Sequence, residues 1–239
     1  MNVIEYNFEH YNTLAPNLYR KEKYRLQVEL LKLQEDAIIN KRKIAVCFEG
    51  RDTAGKSSTI NFFSEHLIPS NFKYVHLGIP TDEEKANWFE RWEKHLPKKG
   101  ELVLFDRSWY TRALIEPTLG YCTKTEYKKF MNKVNKWEKN LIKSDIELIK
   151  FYFSIDQDQQ KRRLSARKNS KLKYWKLSKS DQMMVDKWDL FTLYKNQMFD
   201  ITSTKIAPWV VVNANNKMIA RLSALRYLLN SFDYERKKT

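Results

Sequence analysis

The stretch CFEGRDTAGKSSTINFF, residues 47–63, joins a short apolar run, KIAVCFE, to a segment whose apolar residues recur at helical spacing. Gly50, Gly55, Lys56 and Ser57 fill every fixed position of the pattern Gly, four residues, Gly-Lys-Ser. In that pattern the glycines let the backbone turn so that successive N–H groups point at a phosphate chain from a helix N-terminus, and the lysine adds a point charge. A strand before the loop and a helix after it are the setting the pattern requires. Gly50, Arg51, Asp52, Thr53, Ala54, Gly55, Lys56 and Ser57 are therefore expected to line a phosphate site. The sequence must then say which phosphates the loop holds and where they go.

Outward from the loop, strands alternate with helices. KIAVCFE, FKYVHL, ELVLFD, IELIKFYFS and PWVVVNA read as strands; residues 19–39, 57–67, 81–96, 123–144, 180–202 and 215–232 read as helices. Thr81 is the expected N-cap of the third helix, with acids in its first turn, and Pro69 ends the second. In the first helix Tyr24, Val28, Leu31 and Ile38 mark the apolar face, with Leu30 and Leu33 beside it, and the helix is expected outside the sheet or against another subunit. Trp88 and Trp92 share a face and read as packing; Cys47 reads as a core thiol. The alternation predicts an α/β fold of three layers, a five-stranded parallel sheet with helices on both faces. At 239 residues the chain suits one domain.

Ligands of such sheets bind at the carboxyl ends of the strands. There the third strand delivers LVLFDRSWYTR, with Asp106 at its end, Arg107 next and Arg112 five residues further on. A carboxylate in that position holds Mg²⁺ in phosphate-loop enzymes, and two guanidiniums suit phosphoryl oxygens. Otherwise Asp106 caps the next segment and the arginines are solvated. Asp52, inside the loop, faces the phosphates or the metal, or steadies the loop as an Asx-turn acceptor.

The charge balance calls for a polyanion: 44 Lys and Arg stand against 29 Asp and Glu, a formal net charge of +15. From Gln159 to Ser180 no acidic residue occurs, yet Lys161, Arg162, Arg163, Arg167, Lys168, Lys171, Lys173, Lys176 and Lys179 do, with Tyr174 and Trp175 among them. Solvated surfaces usually mix signs, so this segment, between the fourth and fifth strands, is expected to close over a highly charged substrate. The alternative is a basic loop that binds nucleic acid loosely. Two cysteines make no disulfide framework, and no apolar run reaches membrane-spanning length, so a reducing cytoplasm is expected. His10, His66, His76 and His95 fall in none of these groups, which argues against a phosphohistidine route.

FEGRDTAGKSSTI, FDRSWYTR, YWKLS and STKIAPWVVVNANNK resemble the successive motifs of the second family of polyphosphate kinases, over residues 19–232. The resemblance implies a phosphate-loop kinase domain related to thymidylate kinase over residues 1–239, with an N-terminal helical extension over 1–40 and a basic helical lid over 158–180. It implies transfer of phosphoryl groups between inorganic polyphosphate and nucleotides, with Mg²⁺ and frequent assembly into homo-oligomers, a dimer or tetramer. Purine diphosphates and triphosphates, ADP/ATP and GDP/GTP, are the expected nucleotide partners, without specific nucleic acid or a membrane. By the same resemblance Asp52 and Asp106 are metal and phosphate-orienting carboxylates, Lys56, Arg107 and Arg112 phosphate-binding cations, and Arg163 and Arg167 lid cations. Ser57 and Ser58 stand where that family usually has glycines, which leaves the part of the Ser57 hydroxyl open; the family's acidic pair near NANNK is absent. A thymidylate-kinase-like nucleoside monophosphate kinase is the rival reading, and a nucleic-acid-binding ATPase a more distant one.

Overall fold

The structure, a computed structural model, describes residues 2–9, 11 and 14–234, with the backbone alone for residues 179, 180 and 182. His10 and the Lys179 side chain therefore lie outside the described residues. In chain order the elements are β1 (Ile4–Glu5), α1 (Pro16–Ile39), β2 (Lys43–Gly50), α2 (Lys56–Ser64), β3 (Phe72–Val75), α3 (Asp82–Ala86), α4 (Trp88–Glu93) and β4 (Glu101–Asp106). There follow α5 (Ile115–Leu119), α6 (Lys124–Lys143), β5 (Ile146–Ser154), α7 (Gln157–Lys168), α8 (Lys179–Asp186), α9 (Trp188–Thr202), β6 (Trp209–Asn213) and α10 (Lys217–Asn230). The strands form one parallel sheet in the order β1-β6-β5-β2-β4-β3.

The sheet has six strands where the sequence predicts five. The extra one, Ile4–Glu5, pairs with Val210 and Val211 at the edge and is too short to carry an alternating pattern. Two of the expected helices are each broken by one residue: Asn87 separates α3 from α4, and Lys187 separates α8 from α9. Thr81 and Ser178 both close capping boxes, with Glu84 and Asp181.

Strand residues alternate between two apolar layers. Ile44, Val46, Phe48, Leu102, Leu104, Phe151 and Phe153 face α1, α2 and α10. Ala45, Cys47, Val103, Phe105, Leu148 and Trp209 face the other way, toward Trp88 and Trp92 of α4, Val134 of α6 and Phe191 of α9. From Ile44 onward every residue of β2 is buried, which makes it the central strand that carries the loop.

The buried stripe of α1 differs from the expected one. It runs Leu26, Gln27, Leu30, Leu33, Gln34 and Ala37, while Tyr24 is 70% exposed. Two of the six are glutamines that complete the face through the main chain. Gln27 Nε2 donates to Phe62 O at 2.8 Å, and Gln34 bonds both the oxygen and the nitrogen of Ile68, at 3.0 and 2.7 Å. A pattern counted on apolar residues alone rotates past them. The helix also packs on the sheet's own core and against α10, rather than outside the sheet.

One charged pair lies in the second layer. Lys150 of β5 is fully buried and donates to Glu138 Oε2 at 2.8 Å, Tyr110 Oη at 3.0 Å and Thr202 O at 2.9 Å; Trp109 Nε1 donates to the other Glu138 oxygen at 2.9 Å. A buried pair of this kind is hard to break one partner at a time. Lys150→Met should lower the unfolding free energy by about 3–5 kcal/mol, since it leaves Glu138 buried and unpaired. Lys150→Met/Glu138→Gln, which removes both charges but keeps an acceptor for Trp109, should recover a large part of that loss, read from denaturant midpoints.

Candidate active site

The loop at the carboxyl end of β2 is shaped by close backbone approach. Gly50 pairs with Phe153 at φ +135°, and a Cβ there would sit 2.4 Å from the Phe153 carbonyl oxygen, so no other residue fits. Thr53 and Gly55 also take left-handed conformations, at φ 63° and 111°. Lys56 opens α2 almost fully buried and donates to the carbonyls of Gly50 and Arg51, at 3.0 and 2.9 Å. Burial, and then the Arg107 charge, push its ammonium down to about 8, against the pull of Asp52, Asp106 and Glu49.

The end of β4 meets this loop. Arg107 turns left-handed at φ 68°, its N–H bonded to Phe48 O at 3.1 Å. The next residue is held from β2 as well: Glu49 Oε1 accepts from the Ser108 main-chain nitrogen at 2.7 Å and from its hydroxyl at 2.9 Å. This turn aims Arg107 at Asp52, with which it forms an ion pair. It leaves Asp106 facing α2, where Oδ2 accepts from Ser57 Oγ and, at 2.8 Å, from Tyr74 Oη. Burial alone would raise the Asp106 carboxyl, but Lys56, Ser57, Tyr74 and Arg107 outweigh it and hold the pKa below the ordinary aspartate value.

Asp52, Lys56, Ser57, Asp106 and Arg107 are thus brought together. Arg51 and Arg112 are engaged elsewhere. The Arg51 guanidinium lies 3.4 Å from the centre of the Trp188 ring and donates to Thr192 Oγ1 at 2.5 Å, so that only the main chain of this residue belongs to the loop. Arg112 is ion-paired with Glu116 and Glu126 and lies over Trp88. Arg163 reaches the loop by another route, through bonds to Thr53 O at 3.1 Å, Ala214 O at 2.7 Å and Asn215 O at 2.8 Å. Arg167 pairs with Asp181 at 3.6 Å.

Three residues of the site escape the sequence reading. Tyr74 carries no signal beyond its place in a strand. His76, read as outside every group, has Nδ1 3.2 Å from the main-chain oxygen of Asp106, because β3 ends beside β4. Glu49 did carry a signal, a carboxylate inside an otherwise apolar strand one residue before Gly50. It is completely buried, which raises its carboxyl, and its Oε2 has no hydrogen-bond partner.

The family model described as Polyphosphate kinase 2 matches residues 13–239. The chain belongs to the polyphosphate kinase 2 family. It is 44% identical over 220 residues to the GDP-polyphosphate phosphotransferase of Mycolicibacterium smegmatis, covering 92% of this chain and 78% of that one. It is 45% identical over 217 residues to NDP-polyphosphate phosphotransferase 2 of Ruegeria pomeroyi, covering 90% of this chain and 63% of that one. The solved polyphosphate kinase 2 of Arthrobacter aurescens superposes with a TM-score of 0.86 at 28% identity, over 95% of this chain and 84% of that one.

The donor set of this family member fits Mg²⁺. Among the described residues no three His, Cys, Asp or Glu side chains converge. Mg²⁺ asks for less, since it keeps several waters and binds through one or two carboxylates and substrate phosphates. Asp106 and Asp52 offer those carboxylates, and Ser57 Oγ, already on Asp106, offers the hydroxyl that phosphate-loop enzymes add.

The grip of Glu49 on Ser108 is open to test. Glu49→Ala removes the acceptor of a buried main-chain N–H and should cost about 1–3 kcal/mol in unfolding free energy. Glu49→Gln, which keeps an acceptor oxygen, should cost less in thermal melts. An alanine variant as stable as the parent would show that the turn at Arg107 holds without Glu49.

Proposed function

We propose that this protein transfers a phosphoryl group, in both directions, between inorganic polyphosphate and a nucleoside diphosphate. The observation that carries this reading is the meeting of a phosphate loop, a buried carboxylate and Arg107 beside a segment, residues 159–180, that carries nine cations and no acid. That segment folds as α7, a single turn at Tyr174–Lys176 and the start of α8, and serves as a lid over the loop. The names of the family relatives, GDP- and NDP-polyphosphate phosphotransferase, give the same donor and acceptor classes.

Phosphoryl transfer passes through a loose transition state, so positioning and charge compensation carry the catalysis. The acceptor diphosphate's terminal oxygen attacks the terminal phosphorus of polyphosphate, the P–O bond to the rest of the chain breaks, and the shortened chain leaves with that oxygen. Lys56, the loop N–H groups and Arg107 stabilise charge on the moving phosphoryl oxygens. Asp106 and Asp52, with Ser57, would hold Mg²⁺, which would supply positive charge to offset that of the phosphates. The bond broken and the bond made are of one kind, so the balance of substrates sets the direction. The enzyme works in the cytoplasm as a homo-oligomer on purine nucleotides.

Incubation with polyphosphate, Mg²⁺ and each of ADP, GDP, AMP and GMP, without ATP, tests the reading; triphosphates should form from the diphosphates. Phosphorylation of the monophosphates only when ATP is supplied would make the chain a nucleoside monophosphate kinase instead. Asp106→Asn should lower turnover at least about a hundredfold, as loss of transition-state electrostatics does, while leaving the melting temperature nearly unchanged. Turnover at the parent rate would remove Asp106 from the site.

The depressed Lys56 pKa fixes the sign of a pH effect. In the free enzyme the ammonium is lost as pH rises through about 8. Since kcat/KM reports the free enzyme, kcat/KM for polyphosphate should fall above that pH. Bound phosphate favours the charged lysine, so kcat should hold to higher pH. In Lys56→Arg, any residual activity should lack the alkaline limb.

A further inference from the structure

The basic segment joins the fold by two legs, and both are tied to consecutive residues of the phosphate loop. On the entering leg, α7, Gln160 Nε2 donates to Asp52 O at 3.2 Å and Arg163 donates to Thr53 O at 3.1 Å. On the leaving leg a break at Lys187 separates α8 from α9, which begins at Trp188. Arg51 reaches that point from the loop. Its guanidinium donates to Trp188 O at 3.0 Å and to Thr192 Oγ1 at 2.5 Å, and lies over two rings, 3.4 Å from the centre of Trp188 and 4.4 Å from that of Phe191. The main chain of the same residue serves the reacting end of the loop: Arg51 O accepts from Lys56 Nζ at 2.9 Å.

Stability does not account for an arginine here. The residue is 4% exposed, burial lowers its guanidinium to about 10, and Nη1 has no hydrogen-bond partner. A buried charge with an unmatched donor costs more than an apolar side chain of similar length, and contact with two rings offsets only part of that cost. Nor does the far side need it: Thr192 Oγ1 itself donates to Trp188 O at 2.9 Å, so that carbonyl stays bonded without Arg51. What a guanidinium provides and a methionine does not is a planar fork that holds two acceptors and a ring face at once. It fixes the loop in one orientation to α9.

We propose that Arg51 is a positioning residue for the transfer: its main chain places Lys56 and its side chain places the leaving leg of the basic segment, so that the segment shuts out water only when the lysine is on the phosphoryl group. This rests on the polyphosphate reading given above. Without the tie the loop still binds phosphate, but the segment loses one anchored leg, and water competes with the nucleotide for the phosphorus. In that side reaction the water oxygen bonds to the terminal phosphorus and the bridging P–O bond breaks. The shortened chain leaves with its oxygen, and a water proton passes to solvent.

The test compares the parent with Arg51→Met, Arg51→Lys and Thr192→Val, the last of which loosens the tie from α9 without touching the loop. With long-chain polyphosphate, ADP and Mg²⁺, Arg51→Met should lose about ten- to a hundredfold in kcat, as small misplacements do, while KM for polyphosphate stays within about twofold. The orthophosphate released per ATP formed should rise. Arg51→Lys should behave like Arg51→Met, because a point charge cannot form the fork. Thr192→Val should move the product ratio in the same direction, and Arg51→Met/Thr192→Val should be no worse than Arg51→Met, since the two act as one unit. A variant that is only less stable loses both products in proportion, so an unchanged ratio in Arg51→Met or in Thr192→Val overturns the proposal, as does full rescue by lysine. Amide hydrogen exchange with tripolyphosphate gives a readout independent of turnover. In the parent the ligand should slow exchange in residues 51–57 and in residues 187–193; in Arg51→Met it should slow the first stretch alone. Protection of both stretches in Arg51→Met, or of the loop alone in the parent, overturns the coupling. If the parent forms no triphosphate but shows the expected exchange pattern, lost at 187–193 in Arg51→Met, the role of Arg51 stands and the transfer reading falls.

Discussion

The left-handed turn at Arg107 is the constraint on which the rest of the site depends. A non-glycine residue at φ 68° costs roughly 1–2 kcal/mol and persists only if its surroundings hold it. The surroundings here are the end of β2: the Phe48 carbonyl takes the Arg107 N–H, and Glu49 takes the Ser108 N–H and hydroxyl. Because β2 and β4 are paired in register, Phe48 against Asp106, the strand that carries the loop also dictates where the other strand stops. Asp106 then falls onto Ser57, and Arg107 onto Asp52. Two motifs 49 residues apart in sequence, by the span from Ser57 to Asp106, act as one constellation.

The cations of the site are held in two ways, and the difference has chemical consequences. Arg107 and Arg167 have carboxylate partners. Lys56 and Arg163 rest instead on main-chain carbonyls. A carboxylate partner would compete with an incoming phosphate for the same charge, whereas a carbonyl carries no net charge and orients the cation without neutralising it. Lys56 and Arg163 are thereby pre-positioned with their charge still available, and the pKa of Lys56 records the tension of that arrangement.

What could be read from the sequence follows physical rules that act locally. The loop glycines, the strand-end Asp106 and the cation-rich segment all announce themselves in contiguous residues, and the alternation of elements announces the parallel sheet. Contacts made across the fold were hidden. Arg51 sits beside Asp52 in sequence, yet Trp188 and Thr192, more than 130 residues away, draw its side chain off. Arg112 is drawn off by Glu116, four residues on along the chain, through an ion pair that formed only because the segment coils there. His76 reaches Asp106 only through the pairing of β3 with β4. Apolar spacing alone does not place the buried stripe of α1, because two of its members are glutamines, whose burial depends on main-chain partners in another element.

The edge strand missed in the sequence bears on the site itself. After Ile4–Glu5 joins β6, Tyr6 N donates to Val211 O at 2.9 Å and Asn7 Oδ1 accepts from the Asn213 main-chain nitrogen at 2.8 Å. Phe8 N then bonds Ser223 Oγ of α10 at 3.3 Å, and the Phe8 ring lies 4.2 Å from the Arg226 guanidinium. The N-terminal residues therefore run along the carboxyl end of β6 and onto α10, bracing both sides of the turn that contains Ala214 and Asn215. Those two carbonyls are the ones Arg163 grips, so the bracing reaches α7, and with it the base of the cationic segment. A lid works only if its hinge end is fixed while its far end moves. In the proposed lid the fixed end is Arg163 on a turn clamped from behind, and the run from Lys171 to Lys176 is the exposed far end.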